Sequence, residues 1–136
     1  MQLSQKEQML LEDLRSHEQM VIQKCNEYAD QTSDPQLRQM FENLAKRKQQ
    51  YVQKISQNLN QPSMTQQSNQ TSQQDAVFCH DMLSTEKYLS SVYNTAIFEM
   101  KDSKIRQDLN TIQSDTQKNG EELFQYMQSK GFYNLQ

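Results

Sequence analysis

The chain has 136 residues, enough for one domain with a buried core. Fourteen basic and 17 acidic residues give a formal net charge of −3, which argues against attraction to nucleic acid or to an anionic membrane surface. Hydrophobic residues make up 34%, a share that would suit a disordered chain, but the polar excess is mostly Gln, Asn and Ser and the apolar residues recur at helical spacing.

The composition therefore reads as long amphipathic helices with thin apolar stripes, and two glycines with two prolines suit a nearly all-helical chain. Met1 to Leu11 is polar and contains Glu7, so no secretory signal is expected. No apolar run approaches the roughly 20 residues of a membrane span, so no membrane insertion is expected. Two cysteines do not make a disulfide framework.

Ser4-Gln5-Lys6-Glu7 has the form of a capping box and starts a first helix. Its stripe is Leu10, Leu14, Glu18, Val21, Cys25 and Tyr28, and it should end near Gln31. Ser33-Asp34-Pro35 is a break and restart, with Asp34 suited to the N-cap and Pro35 to the first helical position. Arg38, four residues on, is placed to pair with Asp34 at the surface. The second helix buries Leu37, Phe41, Leu44, Tyr51, Val52, Ile55 and Leu59 on its apolar face.

Residues 59–73 are polar and unperiodic, rich in Gln, Ser and Asn, and read as a mobile crossover. About 15 extended residues reach roughly 50 Å, enough to run the length of a helical bundle. A third helix from about Gln74 to Met100 carries Cys79, Met82, Leu83, Glu86, Leu89, Tyr93 and Ala96. A fourth begins at the N-cap Asp102 and ends near Lys130, with Gly131 as its stop. Met9, Met20, Met40, Met82, Met100 and Met127 read as core or near-core filler.

The two halves repeat. Shifted by 68 positions, Asp81 falls on Asp13, Glu86 on Glu18, Asn94 on Asn26, Asp102 on Asp34, and Arg106-Gln107 on Arg38-Gln39. The predicted fold is all-α: a ferritin-like four-helix bundle made of two antiparallel hairpins, residues 4–58 and 74–131, joined by one long crossover.

The residues Asp81-Met82-Leu83, Glu86-Lys87, Ser91-Val92-Tyr93-Asn94-Thr95-Ala96, Ile105-Arg106-Gln107 and Leu123-Phe124, with Met127 and Lys130-Gly131-Phe132-Tyr133, resemble the spore coat protein F family of endospore-forming bacteria. Such domains often carry Trp where Phe132 stands. The resemblance implies a ferritin-like bundle made in the mother-cell cytoplasm and placed in the spore coat. It further implies no catalytic activity, other coat proteins as partners and a homo-oligomer as one possible state, with no nucleic acid.

A ferritin-like bundle raises the question of a di-iron site, which needs an inward Glu on two helices and Glu-x-x-His on the other two. Glu18 and Glu86 meet the first requirement. The second fails, because the matching inward positions hold Lys48 and Tyr51 on the second helix and Thr116 and Asn119 on the fourth. His17 and His80 stand beside the stripe, as solvated or capping residues or, less naturally, as ligands. The centre therefore reads as a metal site without metal or other cofactor: a buried polar cluster of Glu18, Glu86, Lys48, Tyr51, Thr116 and Asn119, with Tyr93 as a further donor. Lys48 either reaches both carboxylates or snorkels to solvent while one carboxylate holds a proton. Cys25 and Cys79 stand seven residues from Glu18 and Glu86 on opposite sides, so antiparallel helices would bring these thiols near each other. The competing functional reading is a metal-binding or redox bundle.

Overall fold

The computed structural model describes residues 2–59 and 75–132. Four helices account for nearly all of them: α1 Gln5–Gln31, α2 Pro35–Gln57, α3 Asp75–Glu99 and α4 Ser103–Ser129. Each start follows from local chemistry. At α1 the Ser4 hydroxyl accepts from the Glu7 amide and the Glu7 carboxylate accepts from the Ser4 amide, so two otherwise orphaned donors are satisfied. At α2 and α4 the N-caps are Asp34 and Asp102, whose carboxylates accept from Gln36 and from Lys104 and Ile105. Gly131 ends α4 with φ of 71°, and the Phe132 amide donates back to Met127 at 2.7 Å.

Packing follows from the stripes. Glu7 of α1 reaches the Lys101 amide, His17 meets Tyr88, and Tyr28 meets Asp81, so α1 and α3 run antiparallel. Asp34 meets Tyr126, Arg47 meets Asn119, and Asn58 meets Asp108, so α2 and α4 also run antiparallel. The end of α2 and the start of α3 therefore lie at opposite ends of the bundle, the topology with one long crossover. The crossover expected at 59–73 lies, apart from Leu59, outside the described residues. Leu59 belongs to the core, at 7% exposure, and hydrogen-bonds back to Ser56.

One core fills the space between the helices, with Leu11, Leu14, Phe41, Phe78, Met82, Leu89, Ile105 and Leu109 fully enclosed. Each such side chain contributes about 1.5–3 kcal/mol through burial. Several expectations need correction. The first stripe runs through Leu11, with Leu10 only partly buried against the core. Met9 and Met20 face solvent, at 62% and 37% exposure. Both lie on the outward side of α1, about 11 residues apart and so on one face.

Arg38 does not pair with Asp34. Its guanidinium donates to the Ala29 and Thr32 carbonyls at 3.1 and 2.8 Å, closing the end of α1. Asp34 instead accepts from the Tyr126 hydroxyl and lies 3.7 Å from Lys130. The carbonyls at a helix end have no partner within the helix, and a guanidinium one turn into the next helix is well placed to serve them. Arg106 does the same in the second half, donating to the Ile97 carbonyl at 3.1 Å. Ala29 and Ile97 are themselves 68 positions apart, so the duplication extends to the hydrogen bonds of the turns.

Candidate functional site

The middle of the bundle holds the most expensive groups in the molecule. Glu18 of α1 and Lys48 of α2 are each 0% exposed, and Glu86 of α3 is 2% exposed. Each sits on the apolar stripe of its helix, one turn from core residues, so helix formation carries it inward. The Lys48 ammonium donates to Glu86 Oε1 at 2.5 Å and lies 2.9 Å from Glu18 Oε1. Glu18 Oε2 accepts from the Tyr93 hydroxyl at 2.6 Å. Lys48 thus bridges two carboxylates that occupy equivalent places in the two halves.

Burial alone would strip the proton from the Lys48 ammonium, but the fields of Glu18 and Glu86 more than reverse this and hold its pKa above the ordinary lysine value. Glu86 is shifted upward, because burial disfavours its charge and Glu18 adds to the effect while Lys48 opposes it. Tyr93 is shifted well above the ordinary tyrosine value by burial and then by Glu18, so it stays a neutral donor.

Around this triad the remaining polar side chains hold one another. The Asn119 amide donates to the Tyr51 hydroxyl at 3.1 Å and accepts from Arg47 at 2.9 Å. Tyr51 is pushed up to about 12, chiefly by burial, and the Lys48 ammonium lies 5.4 Å from its ring centre. Thr116 turns its hydroxyl to the Ile112 carbonyl of its own helix at 2.8 Å. Arg47 had no sequence signal, since it precedes Lys48 on the outer side, yet it closes the cluster by also pairing with Glu122 at 3.1 Å.

The other candidates lie outside the triad. His17 pairs with Asp13 at 3.6 Å and packs edge-on against Tyr88. His80 Nε2 is 2.9 Å from the Phe132 carbonyl. Cys25 and Cys79 are both buried and free. Burial raises both thiols, Cys79 to about 12. Cys25 also feels Lys48, Glu86 and Glu18, whereas Cys79 feels Asp75 and Asp34. Cys25 matches Tyr93 under the 68-residue shift, a signal that could have placed it beside the carboxylates.

These residues do not fit a resident metal. Among the described residues no group of three or more His, Cys, Asp or Glu could hold an ion, and the Lys48 ammonium stands between the two carboxylates that would have to ligate it. Fold and centre together define an all-α four-helix bundle whose two core glutamates share one lysine.

Residues 74–136 match the family model of the Coat F domain. Over 62 residues the chain is 32% identical to the uncharacterized protein YusN of Bacillus subtilis (strain 168), a stretch covering 46% of this chain and 56% of that protein. The chain thus spans little more than half the length of this curated relative. No solved structure matches. The likeness read from Asp81 to Tyr133 is thereby placed in the second half of the chain, which carries α3 and α4.

Proposed function

We propose that this protein is a structural, non-catalytic component of the bacterial spore coat that works by packing against other coat proteins. The observation that carries this reading is the Coat F domain match over residues 74–136. A second feature supports it. Among the described residues, the exposed large hydrophobic ones, Met9, Met20, Val77, Tyr88 and Phe98, all lie on α1 and α3. Met9 and Val77 are 68 positions apart, as are Met20 and Tyr88, so the two helices present matched apolar points on one side of the bundle. A wet outer face of this kind suits contact with a protein partner. No helix among the described residues is long and apolar enough to cross a membrane.

The test is a fluorescent fusion followed through sporulation, with extraction of purified spore coats. A ring of signal around the forespore, with the protein recovered in the coat fraction, is the expected result. Expression confined to vegetative growth, or absence from purified spores, overturns the reading. Met20→Ser with Tyr88→Ser should keep the fold and weaken retention in the coat; undiminished retention would remove this face from the interaction.

A further inference from the structure

Lys6, Met9, Met20 and Lys24 share one stripe of α1, and Val77, Asp81, Tyr88 and Glu99 share one stripe of α3, because steps of about 3, 4, 7 or 11 residues return to the same side of a helix. The two stripes lie side by side. Lys6 pairs with Glu99 at 3.1 Å, His17 packs on Tyr88, and Lys24 pairs with Asp81 at 3.3 Å. Midway along them a cleft of about 270 Å³ opens beside Met20 and Tyr88, lined also by Val21 and Leu89. Both pairs are 68 positions apart, so the cleft lies on the axis that relates the two halves. Charge is sorted between the stripes, with cations on α1 and anions at the same two heights on α3. The acids of α1 leave this intact: Asp13 is paired with His17, and Glu27 is half-buried with one carboxylate oxygen enclosed.

We infer, resting on the reading that this face meets a protein partner, that the partner is a second copy of the chain, docked through a two-fold axis that runs between α1 and α3 and parallel to them. Such an axis lays α1 of each copy over α3 of the other without changing height. Lys6 then meets Glu99 of the second copy, Lys24 meets its Asp81, and Met20 meets its Tyr88, each contact being made twice. Asp13 falls against residues 91–95, which carry no charge. An axis across the helices would instead lay α3 on α3. That would set Asp81 and Glu99 against a stripe without a cation, because the one lysine of α3, Lys87, lines the cleft toward α4.

The size of the face suits a stable pair. Helices of 27 and 25 residues are about 38–40 Å long at ~1.5 Å per residue, and two side by side are about 20 Å wide. Each copy thus offers roughly 800 Å², the amount that a specific interface of standard size buries. Its layout fits as well, with methionine and tyrosine at the centre and charges toward the ends. Methionine against an aromatic ring is a favourable contact, while the flanking charges fix register more than affinity.

Analytical ultracentrifugation of the full chain at tens of micromolar and low salt tests this. A particle of twice the 16.1 kDa chain mass is expected, and a monomer overturns the inference. Lys6→Glu and Glu99→Lys change side chains that are 67% and 41% exposed, so each variant should keep the wild-type circular dichroism. Each alone gathers four like charges at one end of the face and should weaken self-association at least ~10-fold. An equimolar mixture of the two variants should recover a dimer with one copy of each, because opposite charges again meet across the axis. Loss of the bridge within one chain cannot be repaired by mixing. Met20→Ser with Tyr88→Ser should also weaken self-association at least ~10-fold. A dimer indifferent to these changes, or a mixture that stays monomeric, overturns the inference. A monomer recovered from the coat fraction overturns self-association alone, whereas a dimer absent from spores upholds it and overturns the coat reading.

Discussion

Replacing Lys48 by Met removes the ammonium but keeps the length and apolar stem of the side chain. Two carboxylates then remain enclosed, at 0% and 2% exposure, with no cation between them. At an effective dielectric of about 20, contacts of 2.5 and 2.9 Å correspond to roughly 6 kcal/mol of attraction each, much of it cancelled by the cost of dehydrating three ions. Losing one partner of such a buried network costs about 3–5 kcal/mol. For a chain of this size that is a fall in Tm of about 10–17 °C. The loss must also depend on pH. In the variant the buried carboxylates have folded-state pKa values above their unfolded ones, so the folded state binds more protons. Stability is then regained as pH falls, by about 1.4 kcal/mol per pH unit for each proton taken up, and is complete only below the ordinary carboxylate pKa. Urea unfolding followed by far-UV circular dichroism between about pH 5 and 8 measures this slope. Adding Glu18→Leu and Glu86→Leu to Lys48→Met should restore much of the stability and flatten the pH dependence. A Lys48→Met protein as stable as wild type at neutral pH, or a loss that does not change with pH, would refute the reasoning.

Tyr93→Phe leaves Glu18 Oε2 without its 2.6 Å donor and should cost about 1–3 kcal/mol in the same unfolding assay. Arg38→Ala removes two carbonyl contacts and Arg106→Ala one, so the losses should be about 1–2 and about 0.5–1 kcal/mol; a larger loss for Arg106→Ala would contradict the capping roles. Both thiols are buried with raised pKa values, so iodoacetamide should modify the native protein at least ~100-fold more slowly than the urea-unfolded chain, and quick native labelling at neutral pH would show that one of them is open to solvent.

The parts of this molecule that the sequence announces are those set by periodicity and caps. Glu18, Lys48 and Glu86 were readable as inward because each interrupts an apolar stripe of known period, and the 68-residue shift put both carboxylates at one level. The starts at Ser4, Asp34 and Asp102 were readable because capping chemistry is local. Contacts between helices were less legible. Arg38 has an acidic neighbour four residues back and an unsatisfied helix end nearby; sequence shows the first, and only packing reveals that the second wins. Arg47 was invisible for the same reason, since its partners Asn119 and Glu122 are more than 70 positions away. Leu10 against Leu11, and the exposure of Met9 and Met20, turn on a helix rotation that a thin stripe leaves undetermined.

The duplicated halves meet at a centre that is not itself symmetric. Lys48 and Thr116 are equivalent positions, yet one is a cation and the other a hydroxyl. Two identical hairpins assembling across a two-fold axis could place an even number of lysines there and never an odd one. A lone ammonium shared by two matched glutamates is open only to copies that differ in sequence, as the two halves of this polypeptide do. The fusion therefore did more than tether two hairpins: it made parity a free variable, and the single ammonium between Glu18 and Glu86 is the mark of that freedom.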